Sequence, residues 1–234
     1  LEVGKPLAAG SDPEAFGIHP TTGHIYLSNE DEGTATVLDP ESGAHLAVVP
    51  VGIEPEGVAV SPTGDLVMIT AEATNTVHVI SIPEHREVAT YLVGPRPREV
   101  TFTPDGKVAF VTPEIGRQIF KFDTTTNREL AQVTLEDIAT KPKGIVLLPS
   151  RNELWVTTGR GNSVVVLGAD DLELRATIPV GNRVWGIARS PDDTRVYTAD
   201  GLDNAVSVID VASRAVVRTI AVGEKPWGLA YVTR

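Results

Sequence analysis

The feature that most constrains this chain is a period of 42 residues. A turn tripeptide and the strand after it recur as "DPEAFGIHPTTG" (12–23), "EPEGVAVSPTG" (54–64), "RPREVTFTPDG" (96–106), "KPKGIVLLPSR" (141–151), "RVWGIARSPDD" (183–193) and "KPWGLAYVTR" (225–234). The anchors Pro13, Pro55, Pro97, Pro142, Val184 and Pro226 stand 42, 42, 45, 42 and 42 residues apart. Self-similarity at such a period marks units that bury a core only by stacking on their neighbours.

Every period has the same internal order. A short apolar stretch such as Gly57 to Ser61 leads through a Pro/Gly/Asp turn to "LVMITA" (66–71), "TVHVIS" (76–81) and "EVATYLVG" (87–94). Alternation is clean in the third and fourth segments, as in "AVSVID" (205–210), and turn residues bound each one. Four strands per repeat without a helical period predict an all-β chain, a β-propeller of four-stranded antiparallel blades. The repeats run approximately over 11–52, 53–94, 95–139, 140–181 and 182–223 of a single domain, 1–234. Three extra residues within "VTLEDIATKPKG" (133–144) produce the one longer spacing and are expected in a rim loop.

The two ends read as fragments of a blade. "LEVGKPLAAG" (1–10) has the pattern of a fourth strand and 224–234 that of a first strand, so the two are expected to share a closing blade that leaves no sheet edge unpaired. Seven blades at this period need about 294 residues. The expectation is therefore a seven-bladed ring whose N-terminal part lies outside this chain, with a six-bladed ring as the alternative.

Composition narrows the partners. The net charge is −11, and the 20 Lys and Arg residues are scattered without a basic run, which disfavours nucleic acid and anionic membrane surfaces. There are no cysteines, so disulfides, thiolate metal sites and Cys nucleophiles are excluded. No apolar run approaches the ~20 residues of a membrane span. The chain opens at Leu1, so any signal peptide would already be gone.

The stretch "RVYTADGLDNAVSVIDVASRAVVRTIAVGEKPWGLA" resembles the YVTN-type β-propeller repeat, in which a Tyr-Val-Thr-Asn-like second strand precedes an "SVID" third strand. "VGIEPEGVAVSPTGD", "PRPREVTFTPDGK", "PEIG", "VGNRVWGIARSPDD" and "KPWGLA" are similar to the propeller proteins associated with pyrroloquinoline-quinone-dependent catabolism. That resemblance spans essentially the whole chain and implies a periplasmic or secreted protein linked to quinoprotein-dependent alcohol oxidation. It transfers no catalytic residue, and the tryptophan-centred repeat of the quinoprotein dehydrogenases is absent.

In a propeller the loops from strand four to the next strand one, and from strand two to strand three, gather on one face around the axis. One residue past each anchor stand Glu14, Glu56, Arg98, Lys143, Trp185 and Trp227; at the ends of the second strands stand Glu30, Glu72, Glu114, Gly159 and Gly201, with Asp200 before the last. Structural demands are equal in every blade, yet these positions change from carboxylates to cations (Arg98, Lys143, with Arg160 a further candidate) to indoles. Such a mouth suits a polar organic ligand or a protruding loop of a partner protein. The plainer alternative is that the glutamates are solvated turn residues and the indoles pack on neighbours.

Catalytic motifs are few. The five histidines, His19, His24, His45, His78 and His85, fall in different repeat phases, which argues against a histidine metal site, and His78 reads as a satisfied strand residue. "GRGNSV" (159–164) lacks the lysine and helix of a phosphate loop. Glu30, Glu72 and Glu114 could converge on Ca²⁺, although nearby Arg98 and Lys143 would compete as ion-pair partners; no cofactor or metal site is expected. The function expected is a non-catalytic binding propeller, monomeric, taking a protein or small organic ligand on its top face. The alternatives are a propeller-type hydrolase or lactonase, with Glu56 or Glu72 as base beside Arg98, and a surface-layer or adhesion module.

Overall fold

A computed structural model describes residues 4–135 and 141–232. The described chain contains twenty strands and no helix, and therefore no helix long and apolar enough to cross a membrane. Blade one comprises β1 (Pro13–Ile18), β2 (Ile25–Asn29), β3 (Thr34–Leu38) and β4 (His45–Pro50). Blade two comprises β5 (Pro55–Val60), β6 (Leu66–Ala71), β7 (Thr76–Ser81) and β8 (Arg86–Leu92). Blade three comprises β9 (Pro97–Phe102), β10 (Val108–Pro113), β11 (Gln118–Asp123) and β12 (Arg128–Thr134). Blade four comprises β13 (Ile145–Leu148), β14 (Glu153–Thr157), β15 (Ser163–Gly168) and β16 (Leu174–Pro179). Blade five comprises β17 (Val184–Arg189), β18 (Arg195–Asp200), β19 (Ala205–Asp210) and β20 (Ala215–Ala221).

Each blade is an antiparallel meander in sequence order, the architecture of a β-propeller. The turns follow from residue chemistry: Gly64 and Gly106 take φ of +75° and +70° in equivalent first hairpins, a conformation glycine adopts without a Cβ clash. Fourth strands are mostly exposed, whereas second and third strands are almost wholly buried. Four apolar cores lie between consecutive blades, built around Tyr26 and Ile69, Tyr91 and Phe120, Phe110 and Leu154, and Trp155 and Ile209. Each unit thus buries its face only against the next, as the repeat requires.

Among the described residues the expected closing blade is not formed. Residues 4–10 and 224–232 are not strands, and they lie at different ends of the series of blades. Gly10 N donates to Asn29 Oδ1 of blade one (3.0 Å), whereas Gly186 N of blade five donates to the Trp227 carbonyl (3.1 Å). Neither segment finds the other as a ladder partner, so neither acquires strand geometry. The described residues build five complete blades, and counts of seven or six remain expectations from repeat arithmetic. The centre of the expected rim insertion, 136–140, lies outside the described residues.

Candidate functional site

The residue past each anchor is aimed by a device repeated from blade to blade. The ladder between first and second strands slips between Pro55 and Val58, and likewise between Pro13 and Phe16 and between Val184 and Ile187. A bulge of this kind frees two backbone units from the ladder and re-aims what they carry. A hydroxyl on the second strand takes up the freed groups. Gly57 N donates to Thr70 Oγ1 (2.8 Å), and that hydroxyl donates across the blade boundary to the Arg98 carbonyl (3.2 Å). Ser28 reaches the Glu56 carbonyl (2.6 Å), Thr112 the Lys143 carbonyl (2.6 Å) and Thr157 the Trp185 carbonyl (2.6 Å). Glu56, Arg98, Lys143 and Trp185 are therefore each fixed by a neighbouring blade's hydroxyl while the side chain projects to the axis.

The close approach explains the glycine of the repeated "PxG". A Cβ on Gly57 would run into the Arg98 carbonyl oxygen, and one on Gly144 would sit 2.7 Å from the Trp185 carbonyl. Blade five departs from the device, with Ala199 in the hydroxyl position. There the Gly186 amide bonds the Trp227 carbonyl directly, and Trp227 remains 49% exposed while Trp185 is 9% exposed.

Arg98 is the hub of the ring. Buried to 5% exposure, its guanidinium meets Glu56 Oε2 (2.5 Å), Glu114 Oε2 (2.7 Å) and Glu72 Oε1. Arg96 adds bonds to Glu72 (2.6 Å) and Glu114 (3.5 Å), and Lys141 reaches Glu114 at 3.2 Å. Burial acts to raise the Glu114 and Glu56 carboxyls, but their partners win. Arg98 and Lys141 hold Glu114 below its ordinary value, and Glu72, Arg98 and Lys143 do the same for Glu56. Glu72 goes the other way, pushed up to about 7 by burial and by Glu56 beside it.

On the other side of Arg98 the ring turns cationic and aromatic. Trp185 and Trp227 stack with centroids 4.0 Å apart, and Lys143 Nζ lies 4.6 and 4.5 Å from those two ring centroids. Arg183 lies over the Trp185 ring at 4.8 Å, and burial pushes the Lys143 ammonium below its ordinary value against the pull of Glu99 and Glu56. These groups open into a cavity of about 240 Å³ lined by Arg96, Arg98, Glu114, Lys141, Lys143, Gly159, Arg160, Arg183, Trp185 and Trp227. Six cations thus face one carboxylate in a chain of net charge −11. Among the described residues Arg160 and Arg183 have no ion-pair partner. A second cavity of about 180 Å³ lies across Arg98, Lys143 and Trp227 and is walled by Glu14, Phe16, Glu56 and Glu99. Burial raises the Glu99 carboxyl, and it accepts the Ile145 amide (2.8 Å).

Of the residues expected from sequence, Glu56, Glu72, Arg98, Glu114, Lys143, Trp185 and Trp227 are brought together. Glu14 and Glu30 group with Asp12, their carboxylate oxygens within 4.8 Å of one another, and Glu14 also walls the second cavity. Expected convergence of Glu30 with Glu72 and Glu114 on Ca²⁺ is corrected, because Arg96, Arg98 and Lys141 occupy the oxygens of the latter two while Glu30 groups with Glu14 and Asp12. Asp200 is also corrected: it is 1% exposed and accepts from Thr198 (2.9 Å) and Ser207 (2.6 Å) inside blade five. Its register places it one residue short of the ring phase, so it points into the blade. His78 bonds Thr76 (3.0 Å) and Glu87 (2.5 Å), bridging neighbouring strands.

Sequence reasoning missed Arg96, Lys141, Arg183 and Glu99. The signal was present in "RPR" and "KPK": residues two apart at a strand start share a face, so Arg96, Lys141 and Arg183, each just before an anchor, also face the mouth. Glu99 could have been found as a break in the "PxG" glycine.

The fold and its charged axial mouth define this chain as a β-propeller. Among solved structures it is similar to "Kuenenia stuttgartiensis Hydrazine Synthase", with 15% identity, coverage of 97% of this chain and 92% of that chain, and a TM-score of 0.61. At that identity the likeness is one of fold, and function is argued from the site. No protein-family model matches the chain, and no curated protein matches it.

Proposed function

We propose that this propeller is a non-catalytic binding module whose top face captures a small organic anion. The observation that carries the reading is the cavity at the axis, where six cations and two indoles face one carboxylate. Most of the protein repels anions, so a cationic cleft of this kind focuses them at one place. Its volume suits a ligand smaller than a typical drug-sized molecule, and the exposed ring of Trp227 offers a flat apolar surface beside the charges. The periplasmic setting and the link to quinoprotein-dependent oxidation are proposed on the YVTN-type resemblance alone.

Glu72 favours a hydrolase as the second reading, because a carboxyl held near 7 is poised as a base. It does not line the cavity, however, and sits behind Arg96 and Arg98. The binding reading is therefore preferred.

Calorimetry with terephthalate, an aromatic dianion, and with 1,4-bis(aminomethyl)benzene, its dicationic counterpart, tests the proposal. Terephthalate is expected to bind with a salt-dependent Kd and the dication not at all. Arg183→Ala and Trp227→Ala should each weaken the dianion by about tenfold, or 1.4 kcal/mol. Unchanged affinity in both folded variants would remove the assigned face.

A further inference from the structure

The cationic mouth rests on a carboxyl pair that no ligand need touch. Glu72 on the loop after β6 and Glu56 on β5 both contact Nη1 of the buried Arg98. Their carboxyls stand within hydrogen-bonding reach of each other. Glu72 Oε1 is itself buried, with Arg98 Nη1 as its ion-pair partner. Two carboxylates crowded on one guanidinium nitrogen, away from water, form an arrangement in which one proton serves both.

Resting on the anion-capture reading, we propose that ligand binding at this mouth is proton-linked: the Glu56–Glu72 pair takes up a proton when an anion settles against Arg96 and Arg98. An entering anion adds negative charge on the far side of the two guanidiniums and competes for their donors. The pair is left less well neutralised, so its protonated form gains. By reciprocity, a proton already on the pair frees Arg96 and Arg98 for the ligand. The charged groups facing the pair are Arg96, Arg98, Glu99 and Glu114 of blade three, Lys143 of blade four and Glu30 of blade one. Burial acts to lower the Arg98 guanidinium, but Glu56, Glu114 and Glu72 raise it, whereas burial pushes the Lys143 ammonium below its ordinary value. Burial and the pairing set Glu72 near 7, so the linkage falls where cells and their surroundings vary. Glu30 is the other group near 7 and must be separated by experiment.

Terephthalate, fully ionised above pH 6, is titrated into the whole chain between pH 6 and 8.5 in buffers of different ionisation enthalpy. Uptake of up to about one proton per ligand is expected near neutrality, with Kd rising by at most about tenfold per pH unit above it. Glu72→Gln should bind with a pH-independent Kd and no uptake. Glu56→Gln, which leaves Glu72 alone with two arginines, should also lose uptake, so the inference stays testable if one variant fails to fold. Glu30→Gln should keep it. Terephthalate binding to the parent without proton uptake overturns the inference and leaves anion capture standing, as does uptake lost only in Glu30→Gln. No terephthalate binding at any pH overturns both.

Discussion

Glu30, Glu72 and Glu114 end equivalent second strands of blades one, two and three, yet they live in opposite surroundings. Glu30 has Glu14, Asp12 and Glu56 as its charged neighbours, all acidic, and its carboxyl is pushed up to about 7 by burial and by Glu14. Glu72 and Glu114 are gripped by Arg96 and Arg98, with Lys141 on Glu114. The backbone frame is the same. What differs is the residue that the next blade presents: Glu56 to blade one, Arg98 to blade two, and the Lys141–Lys143 doublet to blade three. The repeat sets positions, and departures from it between neighbouring blades set chemistry.

The largest test of this contrast removes the hub. Arg98→Met keeps much of the side-chain volume but strands three carboxylates around an apolar group, and breaking a buried ion cluster by deleting one partner costs about 3–5 kcal/mol. Urea denaturation should show that loss at pH 8. The loss should shrink at pH 5, where the carboxyls can take up protons. Equal losses at both pH values would mean that the charges are not what Arg98 satisfies.

The next test asks whether the frame really is common to both sides. Thr112→Val strips the hydroxyl that holds the Lys143 carbonyl, and Ser28→Ala strips the one that holds the Glu56 carbonyl. Each leaves a carbonyl and an amide without their partner, a cost of about 1–3 kcal/mol. Similar losses in the two variants are expected from thermal melts. A large loss in only one would show that the hydroxyl links serve local chemistry rather than the frame.

The blades were legible in the sequence because turn residues and alternation repeat with the backbone. Pro13, Pro55, Pro97 and Val184 each begin an inner strand. The ring from Glu56 to Trp185 was legible for the same reason, since one fixed offset from the anchor names a residue that a hydroxyl of the neighbouring blade holds in place, and the same offset names Trp227, held by the Gly186 amide. The single-residue phase at the end of β18 was not. Asp200 and Gly201 are adjacent in sequence, and only the register of Ile187 against Thr198 shows which of them matches Glu72. Closure was also illegible, because strand formation by 4–10 and 224–232 depends on a partner that local pattern does not supply.

The smallest expected effect lies on the acidic side and carries a sign. Glu30 titrates near 7 in the folded chain against an ordinary value of 4.5, so between those limits the folded state holds more protons than the unfolded one. Stability contributed by this group is present below 4.5 and is lost as pH rises through 7. Glu30→Gln, neutral at every pH, should match the parent at pH 4.5 and exceed it at pH 8. Solvent screening at this half-buried site keeps the gain to about 1–2 °C in Tm. Differential scanning calorimetry at the two pH values decides it. A variant that melts below the parent at pH 8 would show that the acidic group is held by something other than mutual repulsion, and the contrast with the arginine-gripped glutamates would fail at its acidic end.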